Sequence, residues 1–152
     1  MNSKRLNILI TLVLGSFMFL TCNKDSQNSN LLIGTWTLDH FEYTTTTGNV
    51  LIDKLDDGES FSWTFSNVMV SYEEITKWGK NSSTYPYAYE DGIIVMNTFF
   101  KTLISESNVF KVEKLSKTEL VLSEVWGEGE TGGVVVNGEH FTCVKVTTVY
   151  KR

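Results

Sequence analysis

The densest group of metal-type ligands in the sequence is Asp53, Asp56, Asp57 and Glu59, gathered around Gly58. Hard carboxylate oxygens suit calcium, but the spacing is not that of an EF-hand loop, and the group reads as a solvated acidic loop. His40 and His140 stand far apart, with no cysteine pair to complete a zinc site. No metal is expected. Glu73 and Glu74 are adjacent, so on a strand they point to opposite faces and cannot act as a close carboxylate pair. Neither a Gly-x-Ser-x-Gly elbow nor a His-Glu-x-x-His pattern occurs. No residue is therefore assigned a catalytic role, no cofactor is expected, and the chain is read as a non-enzyme. Cys143, in Phe141-Thr142-Cys143-Val144, reads as a small buried strand residue, because only His140 is near enough in sequence to influence its thiol.

The larger chemical resource is aromatic. Ser60-Phe61-Ser62-Trp63-Thr64-Phe65-Ser66 alternates strictly, with three rings on one face and hydroxyls on the other, as a half-buried strand does. Trp63, Phe65, Tyr72, Tyr87 and Tyr89, along expected strands, are candidates for contacting an apolar ligand. Trp78, Tyr85 and Trp126, which adjoin loops, are candidates for the mouth of a binding site. Alternation alone does not separate a pocket wall from a packed core, and the short strands and turns favour a filled or shallow interior slightly over a deep one.

The elements that would position these rings are strands. From Leu31 onward Thr, Val, Ile and aromatic residues dominate, with no sustained helical periodicity, so the chain is all-β. Strand one is expected over 31–44, a partial strand at 50–52, an acidic loop over 53–59, and a hairpin of 60–66 with 68–76. A turn-rich loop is expected over 77–83. Asp91-Gly92 joins 85–89 to 93–97, since both turn positions tolerate positive φ; Pro86 suggests that this strand is an edge or that the residue starts it. Residues 99–106 fit either a strand extension or a helical turn. A second clear hairpin joins 108–115 to 119–126 through Ser116-Lys117-Thr118. A loop over 127–133 precedes a small hairpin through Asn137-Gly138, and 140–151 form a long last strand. That gives eight principal strands.

The N-terminus carries an address. Met1 to Arg5 supply positive charge and Leu6 to Leu20 an apolar run, the pattern of a secretion signal. Leu20-Thr21-Cys22 resembles the lipobox of bacterial lipoproteins, which implies that residues 1–21 are a signal peptide and that Cys22 is lipidated. Acyl chains on one residue hold a protein to a membrane at about 0.8 kcal/mol per buried CH₂. The polar residues 23–30 read as a tether, and 31–152 as one domain. With Lys4 and Arg5 removed, the formal net charge goes from −5 to −7, an acidic balance that argues against nucleic acid as a partner. The sequence carries no signal for an oligomeric state.

Leu32-Ile33-Gly34-Thr35-Trp36-Thr37-Leu38 resembles the Gly-x-Trp opening of lipocalins and calycins. Trp63-Thr64-Phe65-Ser66, Tyr89-Glu90-Asp91-Gly92-Ile93-Ile94 and the hairpin from Phe110 to Leu122 follow in the order of the lipocalin-like lipoproteins of Gram-negative bacteria. The resemblance implies an antiparallel, up-and-down, eight-stranded barrel, with a β-sandwich as the alternative. It implies barrel closure by Gly34 and Trp36 against a cationic side chain from the C-terminus, Lys151 or Arg152, with Lys151 taken as the closing residue. It further implies an outer-membrane lipoprotein, held through its lipid anchor, that binds a small hydrophobic or amphiphilic ligand. The alternative is an interaction module presenting loops 77–83 and 127–139 to another envelope protein or a glycan.

Overall fold

The computed structural model describes residues 30–96, 108–125 and 129–152. The signal peptide, Cys22, the tether, the segment 99–106 and Trp126 lie outside the described residues.

Ten strands follow one another: β1 (Gly34–Thr45), β2 (Val50–Asp53), β3 (Ser60–Phe65), β4 (Met69–Thr76), β5 (Gly79–Glu90), β6 (Ile93–Met96), β7 (Val109–Leu115), β8 (Glu119–Glu124), β9 (Gly132–Val136) and β10 (Glu139–Lys151). Neighbours pair antiparallel in the order β1-β3-β4-β5-β6-β7-β8-β10, and β10 pairs back onto β1 from Thr37↔Lys151 to Thr45↔Cys143. This closure makes an eight-stranded barrel rather than a sandwich, and it removes the exposed edges of an open sheet.

Strands β2 and β9 sit outside that ring. β1 pairs with β3 only through Gly34–Thr37, and from Phe41 to Thr44 its free side is taken by β2. In the same way β10 pairs with β8 over Thr147–Lys151 and with β9 over Glu139–Cys143. At one end of the barrel the wall therefore continues as a four-stranded extension, β2-β1-β10-β9. Its inner face buries Thr45, Val136 and Cys143. Register shifts between Leu38 and His40 and between Thr44 and Thr45 are bulges that bend β1 into this extension.

Inward positions alternate along each strand, and thirteen of the side chains they carry form, with Leu32, one buried cluster that includes Trp36, Phe61, Trp63, Phe65, Ile94, Met96, Leu120 and Tyr150. Fully burying a large apolar side chain stabilises by about 1.5–3 kcal/mol, so this cluster is the main reason that the barrel holds together. The Asp91-Gly92 and Asn137-Gly138 turns have φ of 50°, 76°, 52° and 82° in that order, the left-handed pairs that tight hairpins need.

Three expectations change. Residues 30–32 are helical rather than extended. Residues 79–83 belong to β5, which pairs with β4 from Thr76↔Gly79 to Met69↔Pro86; the turn before it is only Lys77-Trp78. Pro86 lies inside β5 and not at its start. The Tyr87 N–H bonds the Val68 carbonyl on the β4 side, so the Pro86 nitrogen points away from β4, and its missing N–H removes no bond from the β4–β5 ladder.

Candidate functional site

The two ends of the barrel differ. At one, called here the base, lie the starts of β1, β4, β6 and β8, the ends of β3, β5, β7 and β10, and the helical residues 30–32. Leu32 is completely buried, and its carbonyl accepts a hydrogen bond from Trp36 Nε1 at 2.7 Å. The Arg152 guanidinium lies 4.0 Å from the centre of the Trp36 ring and donates to the carbonyls of Leu31 and Ile33. Gly34 has φ of +123°, and a Cβ there would stand 2.7 Å from Arg152 Nη2. The backbone conformation calls for glycine, and a Cβ would also displace the end of the Arg152 side chain.

The cation over Trp36 is thus Arg152 and not Lys151. Tyr150 points inward, so the alternation of β10 turns Lys151 outward, where it reaches Glu119 at 2.6 Å. Arg152, just past the strand, is free of the alternation and folds across the base.

Above this plug the described inward side chains pack on one another. Trp63 Nε1 donates to Tyr150 Oη at 3.0 Å, spanning β1, which lies between their strands, and burial pushes the Tyr150 phenol well above its ordinary value. Trp63 packs edge-on against Phe61 and Tyr72. Tyr87 packs edge-on against Phe65, and its hydroxyl donates to the Ser66 carbonyl at the base. Of the sequence candidates, Trp63 and Phe65 are wholly buried and Tyr72 nearly so, all within the packed cluster. Tyr85, Tyr87 and Tyr89 are partly buried against it. Trp78 is 87% exposed, at the tip of the β4–β5 hairpin. The structure therefore gathers most of the candidate rings into one cluster, but as packing.

At the opposite end, the mouth, three apolar side chains line an open recess together with charged ones. Where β1 leaves β3, a recess of ≈ 260 Å³ opens between Phe41 and Tyr43 on β1, Asp53 at the end of β2, and Lys54, Leu55, Asp56 and Glu59 of the following loop. Phe41 and Tyr43 are stacked, with ring centres 6.0 Å apart. Burial and the nearby charge of Asp53 push the Tyr43 phenol up to about 12. A larger recess of ≈ 400 Å³ lies outside the barrel, against β7, β8 and β10. Its floor is an ionic network in which Glu113 accepts from Lys145, Ser123 and Lys111, and its carboxyl is held down at about 2, chiefly by Lys145. Among the described residues no group of His, Cys, Asp and Glu could hold a metal ion.

Phe41, Tyr43 and Leu55 were not sequence candidates. Phe41 and Tyr43 do alternate, which marks them as inward-facing. Nothing local marks the point where β1 changes partner from β3 to β2, and that point makes the recess.

No protein-family model matches this chain, and no curated protein matches it in sequence. Among solved structures, a lipocalin-like protein from Bacteroides uniformis superposes with a TM-score of 0.51 at 19% identity, over 80% of this chain and 98% of that one. An uncharacterized protein from Bacteroides eggerthii gives 0.47 at 16% identity, with the same coverage. The siderocalin Ex-FABP, described as functioning through dual ligand specificities, gives 0.38 at 13% identity, over 80% and 70% of the two chains. The closed barrel and the first of these neighbours define the fold as lipocalin-like.

Proposed function

We propose that this protein is a lipid-anchored lipoprotein of the bacterial outer membrane whose barrel binds a small hydrophobic or amphiphilic molecule at its mouth. The observation that carries the binding role is the asymmetry of the interior. The base is plugged by Leu32, Trp36 and Arg152 and described side chains crowd the middle, whereas Phe41, Tyr43 and Leu55 line an open recess at the other end. Pockets that enclose a drug-sized molecule run to about 300–1,000 Å³, so the recess suits part of a ligand, with the remainder lying along the mouth.

All of the described core lies between Leu32 and Tyr150, so a chain beginning at Asn30 carries it whole. Native mass spectrometry of that chain is expected to show a co-purifying small molecule. Alkyl-chain ligands at a hundred times Kd should add about 2.7 kcal/mol of stability, a rise of several degrees in Tm. No bound molecule and no shift with any alkyl ligand would remove the binding reading. The anchor is tested on the whole chain: Cys22→Ser should release it from membranes, and unchanged retention would refute the lipobox.

One observation favours the second reading, a module that docks on another envelope component. Trp78 is almost wholly exposed on a hairpin tip, where Lys77 lies 5.4 Å from its ring, and large exposed aromatics mark contact sites. Loss of a co-purifying envelope partner on Trp78→Ala, with the barrel still folded, would support it; capture unchanged by that substitution would count against it.

A further inference from the structure

The recess at the mouth has a charge pattern that a neutral ligand does not need. Phe41 and Tyr43 supply the floor, their planes within 16° of parallel, and Leu55 completes the apolar surface. Around them stand three carboxylates, Asp53, Asp56 and Glu59, against one ammonium, Lys54. Asp53 is directly opposite Phe41 in the β1–β2 register, so its side chain rises from the same face as the two rings. Among the described residues none of the three carboxylates is in an ion pair. Asp53 accepts a hydrogen bond from the Lys54 backbone N–H, and Glu59 one from that of Lys77. Lys54 makes no ion pair either, and its charge is felt at Asp39.

We propose that the recess receives a cationic headgroup, an alkylammonium or trimethylammonium, seated against the half-buried Tyr43 ring, which Phe41 backs from the core, with Asp53 and Glu59 balancing its charge. The proposal rests on the mouth being the ligand site and adds the charge of the ligand. The face of an aromatic ring is the negative part of its quadrupole and attracts a cation within about 6 Å of the ring centre. Carboxylates at the edge of a partly desolvated recess strengthen that attraction, because screening there is weaker than in open water. The same carboxylates repel an anionic headgroup and do nothing for a neutral one. The Tyr43 phenol, raised to about 12, stays protonated at neutral pH, so the ring brings no charge of its own. At ≈ 260 Å³ the recess suits a headgroup and leaves an attached chain outside it.

Choline and its uncharged isostere, in which carbon replaces the nitrogen, separate charge from shape. Isothermal titration of the full chain in a nonionic detergent is expected to show choline binding at least tenfold tighter than the isostere. Asp53→Asn should weaken choline about tenfold and leave the isostere unchanged, and Trp78→Ala should change neither. Should Asp53→Asn fail to fold, Glu59→Gln carries the same expectation. Equal affinity for the two probes, or choline binding untouched by both carboxylate substitutions, overturns the proposal while leaving the mouth as a site for uncharged ligands. Failure of both probes to bind, together with no stabilisation by any alkyl ligand, overturns this proposal and the ligand-binding role with it.

Discussion

Arg152→Ala isolates the plug at the base of the barrel. The guanidinium lies 4.0 Å from the Trp36 ring centre, a contact that contributes about 0.5–2 kcal/mol. Its hydrogen bonds to the Leu31 and Ile33 carbonyls hold the helical residues 30–32 against the barrel, and charged donors contribute about 1.5–3 kcal/mol where they are sheltered. Arg152 is exposed on its outer side, so the low end of each range applies, and the substitution should cost about 2 kcal/mol. For a domain of this size that is a fall of about 8 °C in Tm. Scanning calorimetry on the chain beginning at Asn30 measures it. Lys151→Ala is the control, since it removes only an exposed ion pair with Glu119 and should move Tm far less. Gly34→Ala adds an internal check. Its Cβ would meet Arg152 Nη2 at 2.7 Å, so the two substitutions should cost less together than the sum of their separate effects. Equal shifts for Arg152→Ala and Lys151→Ala, or a fall under about 2 °C for the former, would refute the plug.

Two further outcomes follow from the core and the surface. Tyr150→Phe takes away the acceptor that Trp63 Nε1 uses past β1 and should cost about 1–3 kcal/mol in urea unfolding, with Trp63→Phe adding less in its presence than alone. Lysines hold the carboxyls of Glu113 and Glu119 at about 2, below an ordinary value of 4.5. Groups whose pKa is lowered by folding stabilise fully above the unfolded value and lose that contribution as protons bind. Stability should therefore fall between about pH 4.5 and pH 2, and the double variant Glu113→Gln, Glu119→Gln should show a flatter profile in urea unfolding at stepped pH.

The barrel was legible because most of its strands announce themselves locally. Ser60–Phe65 alternates without a break, and Asp91-Gly92 and Asn137-Gly138 mark hairpins by backbone chemistry alone. The polar half of β5, Asn81-Ser82-Ser83-Thr84, was hidden because at the mouth even inward positions carry polar groups; Asn81 faces in and hydrogen-bonds the Tyr72 hydroxyl. The helical residues 30–32 are too few to show a period. Arg152 was within reach of the sequence, since an inward Tyr150 requires an outward Lys151. The recess was not, because it exists only where β1 changes partner, and that depends on how β2 and β3 meet in three dimensions. The rings of Phe61, Trp63 and Phe65 share one face, as their alternation implies, yet whether a face becomes wall or packing is set by the volume that the opposite strands supply.

Entry of ligands at the mouth, as proposed, and not at the base is open to direct measurement through the amide chemical shifts of the isotope-labelled chain during titration with a short alkyltrimethylammonium. Saturable perturbations are expected at Phe41, Tyr43, Asp53 and Leu55, with Gly34, Trp36 and Arg152 unmoved. Perturbations confined to the base or to the Trp78 hairpin would contradict it.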